Sequence, residues 1–249
     1  MLEIILLSIT QGITEFLPVS SSAHLILASK FINFNNENLT LDISLHFGSL
    51  LAVLFFFKKE IINFLNNKSL FLKIIIASLP TIIFGYLLIK LNIIDQLRNI
   101  NVIGFTTIFF GIFLYISDKS KTNKNIINDF KIKDSIYIGF AQTLSLIPGV
   151  SRSGITITCA RFLNFNRVES AKISFLLSIP TLLAVCSYNV IKIAQLNNLQ
   201  ITIQNFLGII LSFIFSLITL KIFINFVKKF SLIFFVFYRI FLGLLIFNL

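Results

Sequence analysis

The sequence predicts an all-α, polytopic membrane protein, and both its composition and its long apolar runs point to that class. Of the 249 residues, 56% are hydrophobic and 12% are charged, and the mean hydropathy is +0.93. Soluble domains carry about 25% charged residues, roughly twice this fraction. Several of the charge-poor runs exceed the ~18 residues that a helix needs to cross a bilayer. Residues 1–249 are therefore predicted to form one integral membrane domain.

Six apolar segments are predicted to be spanning helices. They cover approximately residues 43–57, 72–91, 101–117, 171–192, 204–226 and 231–247. Two further segments, 1–30 and 134–163, are apolar at their ends but broken in the middle by Pro, Gly and Ser. Non-helical backbone at membrane depth is tolerated only inside the protein or beside a wet cavity. We therefore expect each of these two segments to form a broken, re-entrant helix hairpin.

Loop charge predicts how these segments are oriented. Fifteen Lys and Arg residues flank one set of segment ends and four flank the other, and the richer side is assigned to the cytoplasm. The first hairpin then opens outward and the second opens to the cytoplasm, each followed by three spans. The halves, about 1–117 and 118–249, form an inverted-topology repeat in which broken helices meet near the midplane. Because the net charge of +11 lies in short loops, we expect no nucleic-acid partner.

The N-terminal hairpin carries polar side chains that capping does not explain. They are Gln11, Glu15, Ser20, Ser21, Ser22 and His24. Gln11 and Glu15 share one helix face, and Pro18 ends that helix. Capping accounts for one serine at the next helix start. It does not account for Glu15 and His24, since a charge at bilayer depth costs about 2.5–3.5 kcal/mol. These two residues are predicted to be functional.

The C-terminal hairpin has the residue types of a phosphate site. Its polar run contains Ser151, Arg152, Ser153, Gly154 and Thr156. Glycine lets the backbone approach a ligand, and hydroxyls with the N–H groups of a helix start can surround an anion. The planar fork of Arg152 matches two phosphate oxygens. Because apolar residues flank it on both sides, Arg152 is poorly placed to snorkel to the surface.

Other polar residues and glycines are predicted to be structural. Asp42 and His46 lie where the first span begins and are assigned to capping or to the membrane interface. Arg239, beside Tyr238, is assigned to a structural pairing inside the last span. Five glycines are expected at close helix contacts: Gly48, Gly85, Gly104, Gly111 and Gly208.

The two motifs resemble those of the undecaprenyl-diphosphatase family, the BacA-type membrane phosphatases linked to bacitracin resistance. The similarity lies in Gln11-x-x-x-Glu15-Phe-Leu-Pro-Val-Ser-Ser with His24, and in Pro148-Gly-Val-Ser-Arg-Ser-Gly-x-Thr156. The stretch 171–180 and the ending Tyr238-Arg239-x-x-x-Gly243 are also similar, so the resemblance covers essentially the whole chain. The family has Glu or Gln at the first position, and Gln11 here leaves Glu15 as the indispensable carboxylate.

The resemblance implies that the terminal phosphate of a C55 prenyl diphosphate is hydrolysed, which recycles the carrier lipid for cell-wall synthesis in the inner (plasma) membrane. Glu15 would then hold Mg²⁺ or Ca²⁺, with Gln11 as a second ligand. Ser21 is the nucleophile candidate, and His24, three residues further along the same helix face, is the general base or acid. Phosphate oxygens would bind Ser20, Ser22, Ser151, Arg152, Ser153, Gly154 and Thr156. A homodimer is a possible assembly.

Three alternatives are weighed against this mechanism. Water could attack the phosphorus directly, with the serines only positioning phosphate. The chain could instead be a transporter or flippase for a lipid phosphate or another anion, since such carriers share the inverted repeat. The type 2 phosphatidic-acid phosphatases perform the same reaction, but they need a catalytic histidine late in the chain. The two histidines here, His24 and His46, both precede the second motif, which excludes that superfamily.

Overall fold

The computed structural model describes most of the chain. It covers residues 2–21, 23–24, 39–66, 68–97, 99–120, 122–195 and 202–248. Twelve helices within these ranges are α1 Leu2–Thr14, α2 Leu39–Phe56, α3 Lys58–Asn66, α4 Lys68–Lys90, α5 Ile93–Leu97, α6 Ile100–Asp118, α7 Ile126–Asp129, α8 Ile132–Thr143, α9 Arg152–Phe162, α10 Arg167–Gln195, α11 Ile203–Lys229 and α12 Ile233–Phe247. No strand occurs in this part of the chain, so the predicted all-α class is confirmed.

Four of the helices are long and apolar enough to cross a membrane, namely α4, α6, α10 and α11. The first and last predicted spans are also helical, but α2 and α12 are shorter apolar helices. The polytopic membrane class is thus confirmed, while the count of six crossings stays a prediction. The short helix α3 lies between the first two predicted spans, because polar and apolar residues alternate there with a helical period.

Each predicted hairpin breaks at its proline. After α1, helical structure resumes at Ser21. After α8, a 3₁₀ turn at Leu144–Leu146 leads to the break before α9. The residue before each resumption has a positive φ, 75° at Ser20 and 70° at Ser151. The Ser20 hydroxyl accepts a hydrogen bond from the N–H of Ala23 at 3.4 Å, and the Ser151 hydroxyl accepts one from Gly154 at 3.1 Å. The two breaks therefore have the same local geometry.

The hairpins pack reciprocally on the two halves of the chain. The first helix of the N-terminal hairpin, α1, packs on α11 in the second half of the chain. The first helix of the C-terminal hairpin, α8, packs on α4 in the first half. Glycine permits both approaches, since a Cβ on Gly12 would lie 2.7 Å from Phe215 Cβ and one on Gly139 would lie 2.7 Å from the Ala77 carbonyl oxygen. The inverted repeat, with halves about 1–117 and 118–249, stays a prediction that this reciprocity supports.

A chain of phenylalanine rings holds the first break inside the protein. Phe16 is fully buried and meets Phe175 of α10 edge to face, with ring centroids 5.6 Å apart. Phe175 in turn contacts Phe57 and Phe223. Because Phe16 follows Glu15 directly, this anchoring also determines where the Glu15 carboxylate lies.

Candidate active site

The tips of the two hairpins meet through a buried ion pair. Arg152 donates through Nη2 to Glu15 Oε1 at 2.7 Å, across a separation of 137 residues. The two side chains are 15% and 7% exposed. A second contact joins the tips, because the Ser153 hydroxyl donates to the Leu17 carbonyl oxygen at 2.7 Å. The structure thus brings the two sequence motifs into one polar centre.

The Glu15 carboxylate gathers donors from its own hairpin. Its Oε2 accepts from Gln11 Nε2 at 3.0 Å and from the Ser21 hydroxyl at 3.5 Å. The other arm of the Arg152 fork, Nη1, is buried and has no hydrogen-bond partner among the described residues. One arm of the guanidinium therefore holds Glu15, and the other is available to an anion.

Helix α9 begins at Arg152, so its first N–H groups and its positive dipole end lie at this centre. The hydroxyls of Ser151 and Ser153 are 3.2 Å apart. Thr156 lies one turn further along α9 and donates to the Ser174 hydroxyl at 2.8 Å. Of the predicted phosphate ligands, Ser151 and Ser153 lie at the helix start, whereas the hydroxyl of Thr156 is engaged with α10. Ser22 lies outside the described residues.

Arg239 supports the second tip from behind. It is fully buried, and its Nη2 donates to the carbonyl oxygens of Gly149 and Val150, both at 3.0 Å. Its Nε donates to the Thr107 carbonyl oxygen at 3.0 Å. A Cβ on Gly154 would lie 2.7 Å from Arg239 Nη1, so only glycine lets α9 start so close to this guanidinium. The structural pairing expected of Arg239 is made with backbone carbonyls.

His24 is held by a residue that the sequence reasoning did not assign to the site. Its Nδ1 lies 2.6 Å from the Ser20 carbonyl oxygen, which can only accept, so Nδ1 carries the proton. Its Nε2 lies 2.6 Å from the Tyr238 hydroxyl, which therefore donates. Ser21 faces Glu15 rather than His24. The pairing of Ser21 with His24 that the three-residue spacing suggested is thus replaced by Ser21–Glu15 and His24–Tyr238.

His46 also belongs to this centre, although the sequence favoured a capping or interfacial role. Its Nδ1 lies 3.0 Å from Gln11 Nε2, and its Nε2 lies 3.8 Å from Asp42 Oδ1. Periodicity along α2 could not reveal this contact, because it joins residues 35 positions apart. The sequence feature that could have indicated this role for His46 is a second histidine in an apolar helix.

Fold and site together define a polytopic helical membrane protein with a buried carboxylate–guanidinium centre between two hairpin tips. The chain belongs to the family of the bacitracin resistance protein BacA, whose family model matches residues 4–245. It is 47% identical to an undecaprenyl-diphosphatase of Pelagibacter ubique over 99% of this chain and 96% of the relative. Undecaprenyl-diphosphatases of Saccharophagus degradans and Campylobacter curvus are 37% and 39% identical, each over 97% of this chain and 95% and 96% of the relative.

Proposed function

We propose that this protein hydrolyses undecaprenyl diphosphate to undecaprenyl phosphate and inorganic phosphate. The product is the carrier lipid for cell-wall polymers, so the reaction recycles it and supports resistance to bacitracin. The observation that carries the proposal is the Glu15–Arg152 ion pair, which joins the two hairpin tips inside the protein. Membership of the BacA family and the names of the relatives support the same reaction.

Phosphate binding is the first step that the geometry supports. A diphosphate carries more negative charge than the Glu15 carboxylate, and it can use both arms of the Arg152 fork. The buried Nη1 of Arg152 has no hydrogen-bond partner in the described part of the chain. The first N–H groups of α9, beside Ser151 and Ser153, add donors next to it. Substrate binding therefore draws Arg152 to the phosphate and releases Glu15 Oε1 from its hydrogen bond with Arg152.

Ser21 is our proposed nucleophile, with Glu15 as its general base. The Ser21 hydroxyl already donates to Glu15 Oε2. Transfer of that proton to Glu15 lets Ser21 Oγ bond to the terminal phosphorus while the bridging P–O bond breaks and undecaprenyl phosphate leaves. Water then hydrolyses the phosphoserine and regenerates Ser21. His24, held by Tyr238, is our proposed partner in proton transfer, either to the departing oxygen or from the attacking water.

A divalent cation, Mg²⁺ or Ca²⁺, is proposed as the cofactor, with Glu15 and Gln11 as its protein ligands. Gln11 Oε1 is buried and has no hydrogen-bond partner among the described residues, so an oxygen ligand is at hand beside the carboxylate. Within these residues no three His, Cys, Asp or Glu side chains form a metal cluster. Such a pair suits a hard cation that takes most ligands from phosphate and water. When bound, the ion neutralises phosphate charge.

The decisive experiment is phosphate release by the purified protein from C55 diphosphate in detergent, with and without chelator. We expect chelation to abolish release, and Glu15→Gln and Arg152→Lys each to lower kcat at least about 100-fold, because both groups act on developing charge. Glu3→Gln, on the exposed face of α1, is the matched carboxylate control and should keep wild-type activity. Ser21→Ala should also be inactive, whereas near-normal turnover by this variant would indicate direct attack by water.

An absence of phosphate release at every cation concentration would contradict the proposal and favour the transporter alternative. Exchange of labelled undecaprenyl phosphate between the leaflets of liposomes would then be the activity to measure. The inverted repeat supports either function, but a pure carrier needs no hydroxyl held against a carboxylate.

We place the protein in the inner (plasma) membrane, where a lipid-linked substrate of cell-wall synthesis resides. The membrane-sized apolar helices support an integral location. A homodimer is the assembly proposed for testing, by comparing the mass of the protein–detergent complex with the 28.3 kDa chain.

A further inference from the structure

We infer that His46 is a positioning residue that orients the Gln11 amide at the reacting centre, an inference that rests on the proposed hydrolase function. Gln11 lies between two acceptors. Its Nε2 is 3.0 Å from Glu15 Oε2 and 3.0 Å from His46 Nδ1. The amide group has two N–H donors, and these two contacts use both of them.

The partners determine which way the amide faces. An ionised carboxylate can only accept, so the Gln11 nitrogen must face Glu15. The same nitrogen can only donate to His46, so His46 Nδ1 is an unprotonated acceptor and its Nε2 carries the proton toward Asp42, 3.8 Å away. With both N–H groups engaged, Gln11 Oε1 takes no part in these two contacts, and it is buried without a partner in the described residues.

Burying a carbonyl oxygen without a donor is unfavourable, so its orientation needs support from the protein. If Glu15 were its only partner, the Gln11 amide plane could still turn about the hydrogen bond between Gln11 Nε2 and Glu15 Oε2. His46, reaching in from α2, removes that freedom. Because α2 is not part of the hairpin, the contact of His46 with Gln11 also connects the Glu15 carboxylate to the surrounding bundle. His46 in turn contacts Asp42 one turn earlier in α2.

Asparagine is the conservative replacement for His46. Its Oδ1 is attached to Cγ, as Nδ1 is in histidine, and it can accept the same hydrogen bond from Gln11 Nε2. Leu removes the acceptor while filling similar space. We expect His46→Leu to lower kcat about 10- to 100-fold, the usual effect of losing a side chain that orients a functional group. His46→Asn should restore kcat to within about threefold of wild type, and KM should change less than kcat in both variants. Phe47→Leu, at an exposed neighbour in α2, is the control.

A double-mutant cycle separates this role from a merely structural one. If His46 acts through Gln11, then Gln11→Leu/His46→Leu should be no slower than Gln11→Leu alone, whereas independent effects would multiply. The melting temperatures in detergent, with no substrate present, show whether each variant is folded.

Multiplying effects in the cycle, or a His46→Asn variant as slow as His46→Leu, would overturn the inference. Wild-type kcat in a folded His46→Leu would do the same. These results differ from failure of the proposed function, in which the wild-type protein itself releases no phosphate.

Discussion

At the scale of single residues, function depends on hydrogen bonds that join groups distant in sequence. The Arg152–Glu15 pair is buried and has a single direct hydrogen bond, so an incoming phosphate can compete for the guanidinium without dismantling a bidentate pair. His24 and Tyr238, 214 positions apart, are 2.6 Å apart at Nε2 and the hydroxyl. Their ring planes are parallel to within 1°, with the ring centroids 5.6 Å apart.

Tyr238→Phe should lower kcat about 5- to 10-fold, because the imidazole loses one hydrogen bond worth ~1–1.5 kcal/mol. Folding should be unaffected, since phenylalanine keeps the ring against His24. The measurement is steady-state phosphate release together with the melting temperature. Tyr137→Phe, on the exposed side of α8, is the control and should match wild type. Full activity of Tyr238→Phe would show that the Tyr238 hydroxyl has no part in turnover.

At the scale of elements, the two broken hairpins are held in place by close backbone contacts and by one buried side chain each, a phenylalanine for the first and an arginine for the second. Ser20 and Ser151 adopt positive φ angles and cap the helix that follows. The Ser20 break is anchored by Phe16 and the Ser151 break by Arg239. Backbone strain of this kind persists only where the surrounding packing enforces it. Helices α1 and α8 must therefore pack tightly against the rest of the bundle.

Gly12→Ala should destabilise the protein, because the new methyl group would meet Phe215 Cβ at 2.7 Å and the Ser216 nitrogen at 3.0 Å. Overpacking of this kind costs about 1–3 kcal/mol, or roughly 2–12 °C of melting temperature. Gly85→Ala is the matched control, since its methyl group would meet only the flexible Leu146 side chain, at 3.3 Å. A thermal melt in detergent compares them. Equal melting temperatures would mean that α1 and α11 can separate without loss.

At the scale of the whole molecule, part of the charge that predicts topology is also structural. Asp118, where α6 ends, accepts from Arg167 Nε at 2.7 Å and Nη2 at 2.9 Å, and from the Leu232 N–H at 3.0 Å. Arg161 donates to the Asp118 carbonyl oxygen at 2.6 Å. These contacts join the ends of α6, α9, α10 and α12 on the side that loop charge assigns to the cytoplasm. The opposite end of α6 and the segment around α5 lie on the other side in that assignment.

Cysteine labelling tests this orientation. In a variant lacking Cys159 and Cys186, the two native cysteines, we expect Gln96→Cys to react with a membrane-impermeant maleimide added to intact spheroplasts. Ser69→Cys and Lys119→Cys should react only after the membrane is permeabilised. All three positions are exposed. Labelling of Ser69→Cys and Gln96→Cys from one side would contradict both the orientation and the crossing of α4.

The amino-acid sequence by itself determined the membrane class, the helical segments and the two hairpin breaks, because apolar run length and Pro, Gly and Ser interruptions are local signals. It also identified Glu15 and Arg152, since ionisable residues at bilayer depth are conspicuous whatever the fold. Loop charge further predicted opposed hairpins, from which a meeting of the two motifs followed.

Only the tertiary structure decided which side chains touch. His46 and Tyr238 join the site because α2 and α12 are packed beside the hairpins, and no local pattern encodes the relative rotation of two helices. Three-residue spacing suggested Ser21 with His24, but the break at Ser20 turns Ser21 toward Glu15 and His24 toward Tyr238. Hydrogen bonds depend on distances of a few tenths of an ångström, and packing between elements distant in sequence sets those distances.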